Sequence, residues 1–347
     1  MRVAFYAPLK PAHHPKPSGD RTVARAILDV LRSLDGVTSV TVASDLQTRE
    51  GVGDIEAQDR ILQTADAHLN RLKAETFDAW VTYHTYYKAP DLLGPRFAVR
   101  KGIPYIQIEA SRAPKRLVGP WARFARLAEA ATDAADVVCY MTERDRPALA
   151  AGQPEGQTLL HLPPFLNREK LPLPKQPVPG ARYLAVGMLR HGDKMASYQI
   201  LANALEHVSD TDWTLDILGD GPARDDIEPM FSGFGAKVRF HGQVSAARVE
   251  DAIRRASCML WPGVNEAFGM IYLEAQAPGL RVLAEDRPGV REVAGRAAHL
   301  TPTGSFGPAI NALQDESVPD IHYARAFMKN RLRPAARRVL GKALGLV

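Results

Sequence analysis

The sequence predicts an α/β protein of two doubly wound domains, each with a parallel sheet covered by helices on both faces. A chain of 347 residues is long for one hydrophobic core and suits two domains. Short apolar segments alternate with helical stretches in both halves, which is typical of parallel strands joined by crossover helices. A segment with six prolines, 162–179, separates the two halves.

In the first half, short apolar runs predict buried strands, and amphipathic spacing predicts the helices between them. The predicted strands are residues 3–6, 37–43, 79–83, 104–108 and 137–141. The predicted helices are residues 22–34, 55–74 and 121–135. We place the first domain at 1–165 and a proline-rich linker at 166–180.

The pattern restarts after the linker. The predicted strands are residues 183–187, 214–218, 238–241, 257–261 and 281–284. The predicted helices are residues 196–207, 248–255 and 268–277. We place the second domain at 181–320 and a basic helical tail at 321–347. Because doubly wound sheets bind ligands at the carboxyl ends of their strands, we expect a cleft between the domains.

The composition is that of a globular protein in a reducing compartment. Hydrophobic residues make up 46% of the chain. The two cysteines, Cys139 and Cys258, lie in apolar runs and are expected in the core rather than in a disulfide or a metal site. We see no signal peptide and no run long enough to cross a bilayer, so we expect a cytoplasmic protein.

The net charge of +5 is concentrated near the end of the chain. Residues 323–347 contain seven lysines and arginines and no acidic residue. Two interpretations remain open. Either this segment associates weakly with anionic lipid at the inner face of the membrane, or it is a helix docked on the protein with a solvated basic face. Nucleic-acid binding is not expected, because no basic run is interleaved with aromatic residues.

Two carboxylates, Glu266 and Glu274, carry the most functional information. Glu266 lies in a predicted strand-to-helix loop, and Glu274 lies within the first turns of the helix. The free N–H groups of a helix N-terminus lie between them and favour a phosphate. This order suits a nucleotide diphosphate sugar. Alternatively, Glu266 is a helix-terminal charge and Glu274 is solvated.

Two strand ends in the second half add candidate residues. Gly219 lies in a tight turn where a base or a sugar can approach the backbone. This turn is not a dinucleotide fingerprint, because Arg224 stands where the third glycine belongs, so an NAD-dependent dehydrogenase is a weak alternative. Arg190 and Lys194 follow the strand at 183–187 and can neutralise a departing diphosphate. The alternative for this pair is a solvated loop.

The first half offers candidates at two places. Gly19 precedes the first helix and lets the chain pass close to a phosphate, and Arg21 adds positive charge. Alternatively, Ser18 or Asp20 caps that helix. His84 follows a strand end, where an imidazole can act on an acceptor hydroxyl, although a single histidine there is often structural.

In their order and spacing, these segments resemble glycosyltransferase family 4, whose GT-B fold consists of two Rossmann-like domains. The resemblance covers nearly the whole chain. The matching segments are the Gly19 turn, Val186-Gly-Met-Leu with Lys194, Ile217-Leu-Gly-Asp-Gly-Pro, Val238-Arg-Phe-His-Gly, Glu266-Ala-Phe-Gly-Met-Ile-Tyr-Leu-Glu-Ala, Pro278-Gly-Leu-Arg-Val-Leu-Ala and Pro288-Gly-Val-Arg-Glu-Val.

The resemblance implies a role for each matched residue. Glu274 would bind the ribose hydroxyls of the sugar donor, Glu266 would contact the transferred sugar, and Lys194 would hold the diphosphate. Backbone groups that hold the sugar and phosphate would be those of Phe268, Gly269 and Met270. Members of this family are retaining transferases that need no metal ion.

The chain departs from the family pattern at three positions. Met188 stands where the family often has arginine, and Arg190 is a candidate substitute. Met195 replaces the usual glycine after the lysine. Glu109 stands where many members have a histidine, which affects the acceptor side.

We therefore predict a retaining glycosyltransferase of the hexosyltransferase type that acts in glycan, polysaccharide or glycolipid synthesis. The second domain would bind the nucleotide-sugar donor, and the first would bind a glycan or lipid-linked acceptor. The predicted catalytic residues are Glu266, Lys194, Arg190 and His84. The predicted donor-binding residues are Gly19, Arg190, Lys194, Gly219, Glu266, Phe268, Gly269, Met270 and Glu274. The alternatives are a GT-B epimerase, an inverting transferase and a non-catalytic nucleotide-sugar binding protein.

Overall fold

A computed structural model describes residues 1–16, 18–209, 212–295, 298–315 and 321–347. The chain forms two compact units, the first comprising 1–163 with 333–347 and the second comprising 164–332. Within the described residues, each unit contains one six-stranded sheet whose neighbouring strands are parallel. The predicted fold class, two α/β domains with parallel sheets, is confirmed.

The sheet of the first unit has the strand order β2-β1-β3-β4-β5-β6. Its strands are β1 (Arg2–Tyr6), β2 (Ser39–Val42), β3 (Ala79–Thr85), β4 (Tyr105–Ala110), β5 (Val137–Tyr140) and β6 (Thr158–His161). Its helices are α1 (Gly19–Arg32), α2 (Ile55–Arg71), α3 (Gly94–Lys101), α4 (Ala122–Asp133), α5 (Arg146–Ala151) and α13 (Arg333–Ala343). Strands β3 and β4 lie in the middle of this sheet and are buried over most of their length.

The last helix belongs to the first unit and is not a separate tail. Helix α13 contacts α1 and β6, and its buried residues include Ala336 and Leu340. The buried side of α13 therefore contacts protein in this structure. Arg338 and Lys342 of the same helix are exposed.

The sheet of the second unit has the strand order β12-β11-β10-β7-β8-β9. Its strands are β7 (Ala181–Val186), β8 (Trp213–Leu218), β9 (Val238–Phe240), β10 (Cys258–Leu260), β11 (Arg281–Glu285) and β12 (His299–Thr301). Its helices are α6 (Asp193–Leu205), α7 (Arg224–Ile227), α8 (Ala246–Arg255), α9 (Met270–Gln276), α10 (Pro288–Ala294), α11 (Phe306–Asp315) and α12 (Ile321–Met328). A 3₁₀ segment, Glu228–Lys237, precedes β9.

The proline-rich segment predicted as a linker is attached to the second unit. The backbone N–H of Lys175 donates a hydrogen bond of 2.8 Å to the carbonyl of Pro278. The Arg325 guanidinium donates to the carbonyl of Pro172 at 2.8 Å. The observed division therefore falls at 163/164, and residues 164–180 run along the second unit. The predicted end of the second domain at residue 320 lies outside the described residues.

Both cysteines are buried and unpaired, as predicted for core residues. Burial raises the pKa of each thiol to about 12. None of the helices that the structure describes combines the length and the apolar character needed to cross a membrane.

Candidate functional site

The loop between β10 and α9 brings Glu266 against Lys194, which lies 72 residues earlier in the chain. Glu266 Oε1 forms an ion pair with Lys194 Nζ and accepts a hydrogen bond of 3.0 Å from Trp261 Nε1. Lys194 Nζ also lies 5.1 Å from the centre of the Trp261 ring. The Glu266 side chain is 13% exposed and that of Lys194 is 26% exposed, so a ligand can still reach both groups.

Hydrogen bonds to α6 hold this loop in place. Asn265 adopts a left-handed backbone with φ of 48°, and its Nδ2 donates to Asp193 Oδ1 at 2.8 Å. The N–H of Val264 donates to Ser197 Oγ at 3.0 Å. Because Asp193 and Ser197 flank Lys194 in the first turns of α6, the same contacts orient both members of the Lys194–Glu266 pair.

Glycines allow backbone to pack closely on both sides of the loop. A Cβ atom at Gly289 would lie 1.9 Å from the Glu266 carbonyl oxygen, so the first turn of α10 can approach the loop only with glycine there. Gly269 precedes α9 with φ of 61°, and a Cβ atom there would lie 2.8 Å from the Tyr272 ring. The Tyr272 hydroxyl in turn donates to the carbonyl of Trp261 at 3.0 Å.

We expect Gly289→Ala to displace the Glu266 loop. Overpacking of this kind typically costs about 1–3 kcal/mol, and here the added methyl group meets backbone that cannot rotate away. The expected result is a lower melting temperature together with weaker nucleotide binding, measured by calorimetry. Gly233→Ala in the same unit is the control, since a Cβ atom there has no neighbour within 4 Å. Equal stability of the two variants would contradict the proposed close contact.

Glu274 lies on α9 and is partly buried. Among the described residues, no group donates a hydrogen bond to its carboxylate, and the charge that acts on it is that of Arg168. Burial raises the pKa of Glu274 to about 7, and Arg168 opposes this shift only in part. Arg168 is itself paired with Glu250 at 2.6 Å. A carboxylate with unused acceptor capacity at a partly dry position is suited to bind two neighbouring hydroxyls.

Two further predicted residues of the second unit, Arg190 and Gly219, have different surroundings. Arg190 is exposed, and its guanidinium forms no ion pair with a described residue. No hydrogen bond or ion pair joins its side chain to the Lys194–Glu266 pair in the described parts of the chain. Gly219 has φ of 145°, and a Cβ atom there would lie 1.8 Å from the carbonyl oxygen of Gly187. The close approach at Gly219 is thus made by the end of the neighbouring strand.

A second cluster lies at the carboxyl ends of β3 and β4 in the first unit. His84 and Glu109 both have left-handed backbones, with φ of 59° and 58°. The register pairs the residues before and after them, so they lie side by side. His84 Nδ1 lies 3.0 Å from Asp20 Oδ1 and 3.7 Å from Glu109 Oε2. Left-handed backbone at residues other than glycine is strained and is concentrated at functional sites.

The charges of this cluster are coupled. Burial by itself lowers the pKa of His84, but the carboxylates of Glu109 and Asp20 raise that pKa to about 9. Burial raises the pKa of Glu109, and the imidazolium of His84 offsets part of the effect. At neutral pH His84 is therefore a cation. It can donate a hydrogen bond or stabilise negative charge, whereas proton abstraction by its ring requires a higher pH.

Asp20→Asn is expected to lower the pKa of His84, because it removes the carboxylate that hydrogen-bonds to Nδ1. The stability supplied by the charged His84 is present below its ordinary pKa of 6.5 and is lost as the pH rises through about 9. Histidine C–H resonances followed by NMR from pH 6 to 10 measure the shift. Asp29→Asn, on the same helix, is the control. An unchanged His84 titration in Asp20→Asn would contradict this assignment.

The remaining candidates of the first unit lie at the start of α1. Ser18 is the N-cap, and its side chain accepts from the Arg21 N–H at 3.2 Å. The Arg21 guanidinium donates to the carbonyls of His14 and Pro15, so its charge holds the preceding loop. Gly19 is exposed, and the position of its missing Cβ atom has no neighbour within 4 Å, which leaves room for a ligand.

Comparison with protein families shows what the second unit is similar to. Residues 180–315 match the family model for Glycosyl transferases group 1. A phosphatidyl-myo-inositol mannosyltransferase of Mycobacterium leprae is 29% identical over 167 residues, which are 46% of this chain and 44% of that protein. A protein of the same name from Mycobacterium tuberculosis is 33% identical over 118 residues, 33% of this chain and 31% of the relative. The chain thus spans less than half the length of these curated relatives.

Solved structures extend the likeness to the rest of the chain. The lipopolysaccharide outer core galactosyltransferase WaaB, in its apo form, has a TM-score of 0.71 at 15% identity, over 99% of both chains. Anabaena HepE in complex with UDP-glucose has a TM-score of 0.68 at 15% identity, over 100% of both chains. This chain has the GT-B fold, and its second unit is similar to the group 1 glycosyl transferases. The resemblance deduced from the motifs is confirmed, and the structural likeness concerns the fold.

Two residues that support these sites do not stand out in the sequence. Trp261 contacts both members of the Lys194–Glu266 pair, whereas the sequence marks it only as the end of an apolar strand. Asp20 was considered as a helix cap, although its carboxylate contacts His84. Their positions in the sequence are the signal that could identify them. Trp261 follows a strand and Asp20 opens a helix, at the edge of the sheet where α/β proteins bind ligands.

Proposed function

We propose that this chain is a retaining glycosyltransferase that moves a sugar from a nucleotide diphosphate to an acceptor hydroxyl. The observation that carries the proposal is the Lys194–Glu266 pair on Trp261, followed by Glu274 on α9. All of these residues lie within the segment that matches the group 1 glycosyl transferases. The pair supplies a cation for a diphosphate and a carboxylate for sugar hydroxyls. Glu274 supplies acceptors for a ribose.

Binding of the sugar donor would rearrange the charges at this site. Without ligand, Lys194 is neutralised by Glu266. A diphosphate carries more negative charge than one carboxylate, so it would draw the ammonium group towards itself and free Glu266 for the transferred sugar. Trp261 would keep Glu266 oriented during the exchange through its Nε1 hydrogen bond. The complex of Anabaena HepE with UDP-glucose supports a nucleotide sugar as the donor.

The leaving diphosphate would be stabilised by protein cations without a metal ion. Lys194 and the exposed Arg190 are the nearest such groups along the chain, and the backbone N–H groups at the start of α9 add to them. In this arrangement Arg190 would swing towards the ligand, since it has no ion-pair partner in the described residues that would have to be broken. Arg190 would thereby take the role of the arginine that the family often carries where this chain has Met188.

On the acceptor side, His84 is the proposed group of the first unit. As an imidazolium it would donate a hydrogen bond that orients the acceptor hydroxyl, and Asp20 and Glu109 keep it charged. The leaving phosphate oxygen, on which negative charge develops, would take up the proton of that hydroxyl. Relatives named phosphatidyl-myo-inositol mannosyltransferase support a lipid-linked acceptor. A cytoplasmic enzyme working at the membrane surface fits such an acceptor.

The test combines binding and product analysis. Thermal shift with UDP, GDP and ADP identifies the base, since a ligand at 100 times its Kd stabilises by about 2.7 kcal/mol. Incubation with the matching nucleotide sugars, followed by NMR of the anomeric proton, then reports hydrolysis or transfer and its stereochemistry. A retained configuration supports the proposal. An inverted product, an epimerised donor, or binding without any turnover would instead support one of the three alternatives.

We expect weak, salt-sensitive association of the protein with anionic vesicles. A cation close to an anionic surface contributes about 1 kcal/mol, and the attraction falls over a Debye length of about 8 Å. The double variant Arg338→Gln/Lys342→Gln removes two exposed cations without disturbing the buried face of α13, and it should float less at low salt. The control is Arg71→Gln/Lys73→Gln, at and just after the end of α2, which removes the same number of exposed cations. If neither wild type nor variants float, the basic face of α13 is merely solvated.

A further inference from the structure

A basic pocket of about 280 Å³ lies in the second unit, between one face of its sheet and α8. Its lining includes four arginines from three different elements. They are Arg182 of β7, Arg239 of β9, and Arg248 and Arg255 of α8. None of the residues assigned to the sugar donor lines this pocket, so it is a separate feature of the unit.

The sheet face that lines the pocket is polar where a covered parallel sheet is normally apolar. Arg182 pairs with Thr214, and Asp216 pairs with Arg239, so these side chains lie on the same face of neighbouring strands. The opposite face carries Leu215 and Ile217, which belong to the core. A lone charged residue on an outer strand is ordinary. Charged residues aligned across three strands point to a ligand.

Helix α8 also contributes charged side chains to the pocket. Arg248, Asp251 and Arg255 follow helical spacing and line the pocket together. Ile253 is the one fully buried residue of the helix. The helix thus packs against the unit through its apolar side, and its charged side borders an open cavity that a covering helix would ordinarily fill.

The acidic residues in the pocket are already paired. Asp216 Oδ1 lies 2.7 Å from His241 Nε2. Asp251 accepts from Arg248 at 2.9 Å and from Arg255 at 3.0 Å. Within the described part of the chain, no carboxylate forms an ion pair with Arg182 or Arg239. The pocket therefore holds an excess of positive charge with two guanidinium groups available to an anion.

We propose that this pocket binds the phosphate group of a small phosphate monoester, in addition to the nucleotide site. One guanidinium group can donate two parallel hydrogen bonds to the oxygens of a phosphate, and arginines from different elements can surround one phosphate dianion. A volume of about 280 Å³ is at the lower limit of ligand pockets, which suits a group the size of a sugar phosphate. The site does not depend on the proposed transferase activity.

Calorimetric titration with inorganic phosphate tests the proposal, and the same titration of Lys194→Ala measures any phosphate binding at the donor site. Removing a hydrogen bond to a charged group typically weakens binding about 10- to 100-fold. We expect that loss for Arg182→Ser and for Arg239→Ser. Arg100→Ser, an exposed arginine of α3 in the first unit, removes the same charge and should bind phosphate like the wild type. Unfolding curves verify that each variant is folded.

The phosphate can come from a free metabolite or from a lipid headgroup, and a second arm separates these sources. Phosphatidylcholine vesicles with and without phosphatidic acid are pelleted with each protein. Pelleting that requires phosphatidic acid and is lost in Arg182→Ser supports the proposal with a lipid source. Phosphate binding without pelleting, or with pelleting that Arg182→Ser retains through the cations of α13, supports it with a free ester. Equal phosphate affinity of all variants would overturn the proposal. Displacement of bound phosphate by chloride at the same ionic strength would also overturn it.

Discussion

Replacing Lys194 with alanine is expected to lower turnover by about 10²- to 10³-fold, which is typical for the loss of a group that stabilises developing charge. Lys194 is the cation closest to Glu266, and it lies in the first turn of the helix that also holds the Glu266 loop. Its removal would leave the departing diphosphate with Arg190 and the backbone N–H groups at the start of α9. Turnover and KM measured with the nucleotide sugar identified by thermal shift give the result.

Lys237→Ala is the matched control for this variant. Lys237 Nζ lies 5.1 Å from the centre of the Trp213 ring, the same distance that separates Lys194 from Trp261, but it has no carboxylate partner in the described residues. It should keep wild-type turnover. Addition of a chelator should leave the turnover of the wild type and of Lys237→Ala unchanged. A chelator that abolishes activity, with recovery on adding magnesium, would contradict neutralisation of the diphosphate by protein cations.

Replacing Glu274 with glutamine is expected to stabilise the protein and to weaken its nucleotide binding. Burial keeps the pKa of Glu274 at about 7 instead of 4.5, so the folded protein loses stability as the pH rises from 4.5 to 7. A shift of this size corresponds to about 3 kcal/mol above pH 7. Glutamine carries no charge and avoids that loss. Denaturant unfolding at pH 5 and pH 8 should show a difference between the two proteins that grows with pH.

The same substitution removes the acceptor proposed for the ribose. Hydrogen bonds to a charged group contribute about 1.5–3 kcal/mol, so nucleoside diphosphate affinity at pH 8 should fall at least about tenfold in Glu274→Gln. Wild-type affinity should itself fall as the pH drops below 7, because the carboxylate becomes protonated. Glu228→Gln, an acid of the same unit outside the site, controls for net charge. Unchanged nucleotide affinity in Glu274→Gln would rule out contact with the ribose.

The local pattern of the chain is enough to predict the central strands and the four longest helices, α1, α2, α4 and α6. Apolar runs and helical spacing depend on neighbouring residues only, so β1, β3, β4, β7 and β8 appear in the sequence at nearly their observed positions. Of the four edge strands, β2 and β9 are predicted, and β6 and β12 are not. Edge strands have one sheet partner and are partly exposed, so their sequences carry a weaker apolar signal.

By itself the sequence determined two α/β units with parallel sheets, and it placed Glu266 in a loop after a strand and Glu274 on the helix that follows. Only the tertiary structure decided which charges meet. Lys194 and Glu266 are 72 residues apart, and Asp20 and His84 are 64 apart, distances at which sequence periodicity carries no information. It also decided that α13 joins the first unit, because a helix with an apolar face suits protein and lipid equally until the surface that buries it is known.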